Sequence, residues 1–376
     1  MINVLNYKKN LEKLNFYISK YSNRHNSCFG TPLVMTFLVT NKCTLKCKHC
    51  FYHQTISCKD SAHELSIDEY RRLSKSMDSF FIGVFCGGEP FSRNDTYEII
   101  NIFQVNNKLM TADATSNGQL TNQIVEQVGK IVIKSPHQNF SLGLSIDGFQ
   151  DTHEEIRGKG TFEKVMQTWH ELKLLKRHHN NFELYVCGTI NKINEAEFPQ
   201  FIEWCIANLK PDKISLMKIR QQPRAGAQLK NIDLGNWLKS IQVVEKHISS
   251  FDASKLEKPQ TYLSLSGNNY VYDGEIQQKK LFKCYAGLHG GFVDYNGDIG
   301  VCEVLDPIAN LRDFDMDFSK LWNSELAQKS RESVNSNNSC LNCTHEAEGI
   351  LPSLWFEPNQ IKYERTCGMQ QSKEGW

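Results

Sequence analysis

From about residue 31 to residue 220, short β-like runs alternate with longer amphipathic stretches, and this alternation constrains the fold more than any single residue does. Leu33–Thr40, Phe80–Cys86, Leu109–Thr115, Phe140–Asp147, Phe182–Ile190 and Lys213–Ile219 read as strands. Ser66–Ser79, Asp95–Asn107, Thr121–Ile133, Thr161–Lys176 and Glu195–Leu209 read as the helices between them. Repetition of this kind joins parallel strands through right-handed crossovers. Six units form an α/β chain with a partial (β/α)6 TIM-like barrel, in which function collects at the C-terminal ends of the strands. The polar and glycine-rich segments of this sequence all fall at those ends.

The flanks read differently. Residues 1–30 form an N-terminal helical extension, 31–250 the barrel with a closing helix at Leu234–Ser250, and 251–279 a connecting segment. That connection reads as irregular over Leu256–Lys280, because Ser266-Gly267-Asn268 and Asp273-Gly274 are turn signals. Residues 280–376 form a small cysteine-rich α+β domain, with a hairpin over Gly290–Glu303 about Asn296-Gly297 and a helix near Phe318–Val334. A formal charge of +1 gives no electrostatic reason for a nucleic-acid partner. The longest apolar runs, such as Leu33–Val39, are too short for a membrane span, and Met1–Lys9 lacks a signal-peptide pattern. A cytoplasmic protein is expected. Thirteen cysteines in that setting point to metal or cluster ligation rather than disulfides.

Three of them form Cys43-x3-Cys47-x2-Cys50, directly after the first strand. A four-iron cubane has four corners, and three thiolates leave one iron open to an outside ligand. A zinc site completed by His49 or His53 is the alternative chemistry of the same residues. The spacing resembles that of the radical S-adenosylmethionine (AdoMet) superfamily. Gly87-Gly88-Glu89-Pro90 is similar to its GGEP turn, Thr115-Ser116-Asn117-Gly118 to its TNG segment, and Ser145-Ile146-Asp147-Gly148 to its SIDG segment. His153, Ile156-Arg157-Gly158 and Gly160-Thr161-Phe162 follow as in members with C-terminal cluster domains. The resemblance implies that Cys43, Cys47 and Cys50 hold a [4Fe-4S] cluster whose open iron chelates AdoMet. It implies cofactor contacts at His49, Gly87, Gly88, Glu89, Pro90, Thr115, Asn117, Ser145, Asp147 and Arg157. Reductive cleavage would then yield a 5′-deoxyadenosyl radical that abstracts a substrate hydrogen, with the electron supplied by a low-potential donor such as a flavodoxin or ferredoxin.

Cys284, Gly297-x4-Cys302 and Cys340-x2-Cys343 resemble the auxiliary-cluster domains called SPASM and twitch. Because no cysteine lies between Thr344 and Thr366, the pattern looks like the shorter twitch form. One auxiliary [4Fe-4S] cluster on Cys284, Cys302, Cys340 and Cys343 is then implied, as an electron acceptor, a staple or a relay; four-cysteine zinc uses the same ligands. Cys187 and Cys205 sit in apolar contexts and read as core residues. Met1–Gly30 is too short for a peptide-binding unit. That tilts the expectation toward oxidation of a small or sugar-like molecule, with a peptide-modifying maturase as runner-up. A non-catalytic, zinc-stabilised binding module is the alternative of another class.

Overall fold

A computed structural model describes residues 30–57, 63–249, 259–278, 281, 283–334 and 343. The N-terminal extension, the start of the connecting segment, Cys340 and the chain beyond Cys343 lie outside the described residues.

The expected strand–helix alternation is present. It begins with β1 (Val34–Thr40), α1 (His53–Ser57), α2 (Ile67–Lys75), β2 (Ile82–Gly87), α3 (Thr96–Asn107) and β3 (Thr111–Ser116). It continues through α4 (Thr121–Lys134), β4 (Asn139–Ser145), α5 (Gln150–Arg157), α6 (Thr161–Lys176), β5 (Phe182–Ile190), α7 (Phe198–Trp204) and β6 (Ile214–Lys218). Strands β1 to β6 pair in sequence order and in parallel, the arrangement of a partial TIM barrel. Period-two patterning sorts their side chains. Met35, Phe37, Phe85, Ala112, Leu142 and Leu184 point outward and are fully buried beneath the helices. Burying the larger of these, the Met, Phe and Leu side chains, contributes roughly 1.5–3 kcal/mol each, which helps fix the register of the strands.

Local signals place the helices. Ser66 caps α2 in a reciprocal capping box with Glu69. After α7 the helix widens into a π turn over Cys205–Leu209 and ends at Lys210 in the left-handed region.

Beyond the barrel come α8 (Leu234–Ser249) and α9 (Pro259–Gln277). The second corrects the irregular reading of Leu256–Lys280. Its turn dipeptides are overridden by tertiary bonds: Asn269 donates to Glu245 on α8 at 3.0 Å, and Lys218 at the end of β6 pairs with Glu275 at 2.5 Å. The expected hairpin forms as β7 (Gly290–Val293) and β8 (Asp298–Gly300), followed by β9 (Ala309–Asn310), α10 (Phe318–Trp322) and α11 (Glu325–Ser333). Strand β7 pairs in parallel with β1, so one nine-stranded sheet runs from the barrel into the C-terminal unit. No described helix is long and apolar enough to cross a membrane.

Candidate active site

The loop after β1 carries Cys43, Cys47 and Cys50, and it is held from several sides. Gly88 and Glu89 donate backbone hydrogen bonds to Thr40 and Lys42 at 2.8 and 2.7 Å. Lys48 donates to the Ile156 carbonyl at 2.9 Å. In the segment after β6, Arg224 and Ala225 donate to the Cys50 and Lys48 carbonyls at 3.1 and 2.9 Å. A Cβ at Gly88 would stand 2.0 Å from the Lys42 carbonyl oxygen, and one at Gly87 2.5 Å from that of Thr40. Gly87 also has φ +128°, so both positions require glycine.

The expected contact residues divide into two sets. Cys43, Cys47, Cys50, His49, Gly87, Gly88, Thr115, Asn117, Ser145 and Arg157 line one cavity of about 570 Å³. Glu89, Pro90 and Asp147 lie behind that wall and are buried. The Glu89 carboxylate accepts from the Ser116 hydroxyl at 2.8 Å, the Asn117 amide at 2.7 Å and the Phe91 amide at 3.2 Å. Burial pushes its pKa up to about 7 against those hydrogen bonds. The turn it fixes aims the Asn117 side chain at the Cys43 sulfur, 3.7 Å away, and at the Thr44 hydroxyl, 3.1 Å away.

Asp147 does the same for Arg157. Its carboxylate pairs with the Arg157 Nε at 2.6 Å and accepts from the Thr189 amide at 2.9 Å. Burial alone would raise the Asp147 pKa, but Arg157 and the neighbouring histidines hold it at about 2. Arg157 is thereby left with Nη1 3.9 Å from the Cys47 sulfur. His49 sits 3.7 Å from Asp147, and burial lowers its pKa to about 4, so the ring is neutral at physiological pH. Among the described residues no three His, Cys, Asp or Glu side chains converge on a single metal ion. A cubane makes no such demand, since each thiolate caps a different iron. Three cavity-lining thiols with an arginine and an amide turned toward two of them fit such a cluster.

Sequence reasoning did not find several residues around this cavity. The Tyr52 hydroxyl, next to the cysteine loop, donates to Asp294 at the end of β7 at 2.5 Å. Cys187 is buried, as expected of a core residue, yet it also lines the cavity. Asp113, Ser141, Glu183 and Tyr185 line it lower down, from β3, β4 and β5. The available signal was polar residues at every second position of strands whose other face is apolar.

Of the proposed auxiliary ligands, Cys284 and Cys302 are buried on either side of the hairpin, and Cys343 is partly exposed. Cys302 follows β8 by two residues, and Ala286, two residues past Cys284, bridges to Gly290 at the start of β7. Glu303, adjacent to Cys302, lines the central cavity and pairs with Arg220 at 3.1 Å.

Comparison with known proteins agrees with this geometry. Residues 37–205 match the radical SAM superfamily, and residues 284–344 match the iron–sulfur cluster-binding domain SPASM. The chain is 28% identical over 204 residues to Fe-coproporphyrin III synthase of Methanosarcina barkeri, covering 53% of this chain and 46% of that protein. It is 26% identical over 177 residues to the sporulation killing factor maturation protein SkfB of Bacillus subtilis, covering 46% and 40%. These alignments therefore span less than half of each relative's length. The crystal structure of Streptococcus suis SuiB bound to S-adenosylmethionine shares the fold, with a TM-score of 0.59 at 17% identity over 88% of this chain and 74% of that one.

Proposed function

We propose that this chain, which carries a radical SAM domain followed by a SPASM iron–sulfur domain, abstracts a hydrogen atom from a compact polar substrate held in its barrel and oxidises the product radical. A single observation carries the reading: the cysteine triad and the residues turned toward it open onto a cavity that continues down the barrel. AdoMet bound at a reduced four-iron cluster supplies the 5′-deoxyadenosyl radical.

The chain's own residues do the rest. Cys43, Cys47 and Cys50 would hold three corners of the cluster. Arg157, fixed by Asp147 with Nη1 near the Cys47 sulfur, would have its remaining N–H groups free for the AdoMet carboxylate. Thr115, Ser145 and neutral His49 line the wall on which the cofactor would lie. After hydrogen abstraction the substrate radical loses one electron and one proton, which completes a two-electron oxidation. Cys284, Cys302, Cys340 and Cys343 would hold an auxiliary cluster able to accept that electron, and Glu303, next to Cys302 in sequence, lines the same cavity. The electron for the first cluster would come from a flavodoxin- or ferredoxin-like donor.

The cavity favours a compact substrate. Its volume falls within the roughly 300–1,000 Å³ that suits one drug-sized ligand, and cluster and AdoMet must share it. Each lysine and arginine lining it already has a carboxylate partner: Lys213 with Asp113, Lys218 with Glu275, Arg220 with Glu303 and Arg157 with Asp147. Such a wall is poorly suited to a molecule bearing several carboxylates. Peptide modification is the second reading, favoured by the likeness to SkfB and to SuiB, which has also been solved with its precursor peptide SuiA. A peptide would present one side chain to the same cavity.

Anaerobic reconstitution with iron and sulfide, then AdoMet and dithionite, tests the reading. About eight irons per chain and formation of 5′-deoxyadenosine are expected. Zinc in place of iron, with no 5′-deoxyadenosine, would leave the zinc-stabilised binding module as the correct description.

A further inference from the structure

An electron for the cysteine triad must come from outside the chain, and transfer weakens steeply with distance, so a donor has to seat where the protein cover is thin. The loop after β1 is such a place. Lys42, Thr44 and Lys46 are exposed, and Cys43 and Cys50 are themselves partly exposed. Cys43 and Cys47 therefore each have a neighbour in sequence whose side chain stands in solvent. The outward faces of the strands, by contrast, are buried beneath the helices.

The loop is also cationic. Residues 42–48 carry Lys42, Lys46 and Lys48 and no carboxylate. Two segments packed against it add Lys159 and Arg224: Lys48 donates to the Ile156 carbonyl at 2.9 Å, and Ala225 donates to that of Lys48 at 2.9 Å. Lys46, Lys159 and Arg224 stand at most three residues from these bonds. Chain reach alone then keeps their α-carbons within roughly 11 Å of them. Pairing leaves an excess of positive charge. Lys42 lies 3.7 Å from Glu64 and Lys48 3.0 Å from Glu155, exposed pairs that hold their partners weakly. Among the described residues, the exposed Lys46 and Lys159 and the half-buried Arg224 have no carboxylate partner, against one unpaired carboxylate in these segments, Glu154. Lysines keep any surface solvated; what distinguishes these is their place over the triad.

We propose that this face, centred on Lys46, Lys159 and Arg224, docks a small acidic electron-carrier protein. The proposal rests on the reading of the triad as a cluster site and adds the chemistry and the seat of its donor. One electron passes from the carrier's reduced prosthetic group to a cluster held by Cys43, Cys47 and Cys50, and no bond forms or breaks. The positive field raises the encounter rate with acidic carriers and repels basic ones. Three unpaired cations suit a transient protein contact and are few for a nucleic-acid backbone.

Surface plasmon resonance on the reconstituted holoenzyme tests it with four probes: a flavodoxin and a plant-type ferredoxin, both acidic, cytochrome c, which is basic, and a short single-stranded DNA. At low ionic strength at least one acidic carrier should bind roughly tenfold or more tighter than cytochrome c, and added salt should weaken it. The double variant Lys46→Glu, Lys159→Glu should weaken that carrier by a similar factor, with circular dichroism and iron content reporting an intact chain. AdoMet cleavage driven by the reduced carrier should fall in parallel, whereas cleavage driven by dithionite should change little. Absence of binding by both carriers, binding indifferent to salt and to the double variant, equal binding of cytochrome c, or tighter binding of the DNA overturns the proposal. Absence of dithionite-driven cleavage in the native chain sinks the radical reading instead, and the binding comparison still decides the docking face.

Discussion

Gly88 illustrates what one residue does here that its motif alone does not reveal. The glycine pair reads in sequence as room for a ligand, and the structure shows that room taken by the backbone of the cysteine loop. A side chain at position 88 must push Lys42, and the loop carrying Cys43 with it, away from β2. Gly88→Ala is therefore expected to destabilise the chain by roughly 1–3 kcal/mol and to lower iron incorporation at the first site. Iron quantification after reconstitution and urea denaturation check the two effects separately. Asp147 makes the complementary case. Asp147→Ala leaves Arg157, only 8% exposed, as a buried cation without its carboxylate, and breaking such a pair costs roughly 3–5 kcal/mol. An Asp147→Leu, Arg157→Met double variant should recover much of that stability, since an apolar pair of similar volume needs no solvation. It should not recover AdoMet binding, measured by equilibrium dialysis. The ligand-bearing residues were legible in the sequence because their spacing is local. Their supports, such as Glu89 beneath Asn117 and Tyr52 against Asp294, were not, because the partners come from different strands.

Among the elements, the six parallel strands were readable as short apolar or β-branched runs between helical stretches, and β3 to β5 in addition alternate an apolar outer face with a polar inner one. Helix α9 was not. Gly267, Asn268, Asn269 and Gly274 have low helix propensity, each glycine costing about 1 kcal/mol relative to alanine. What makes the segment helical lies elsewhere in the chain, in Glu245 and Lys218. The Lys218–Glu275 pair is largely shielded, its side chains 9% and 17% exposed, so it escapes the screening that weakens surface pairs. Lys218→Met should therefore loosen the C-terminal half of α9 while β3 to β5 stay protected. Hydrogen–deuterium exchange reads this out as faster exchange confined to residues near 268–277. Uniformly faster exchange across the sheet would instead make the pair a support of the whole barrel.

At the scale of the whole molecule, the C-terminal unit joins the barrel in two physically different ways. On one side β7 continues the sheet beside β1, a backbone connection that sequence reading treated only as a separate hairpin. On the other side the segment around residues 310–318 docks on α2 through polar contacts. Arg312 reaches Glu69 at 2.6 Å and the carbonyls of Asn296 and His63 at 2.8 and 3.2 Å, and Ser76 accepts from the Phe318 amide at 2.8 Å. This second attachment is sensitive to pH. Burial tends to raise the Glu69 pKa, but hydrogen bonds from Arg312 and Ser66 prevail and hold it below the ordinary value. A carboxylate with a depressed folded-state pKa contributes stability above its unfolded pKa, near 4.3, and loses it as pH falls through the lower folded value. Both partners are partly exposed, so the effect should be modest and salt-sensitive. Exchange at residues 311–318 should accordingly quicken as pH falls below about 4, after correction for the intrinsic pH dependence of exchange. In Glu69→Gln it should be faster than in the native chain at pH 7 and converge with it in acid. If the two chains differ equally at every pH, the Glu69 charge does not govern the docking, and the β7 pairing together with the Tyr52–Asp294 and Arg220–Glu303 contacts holds the two units in register.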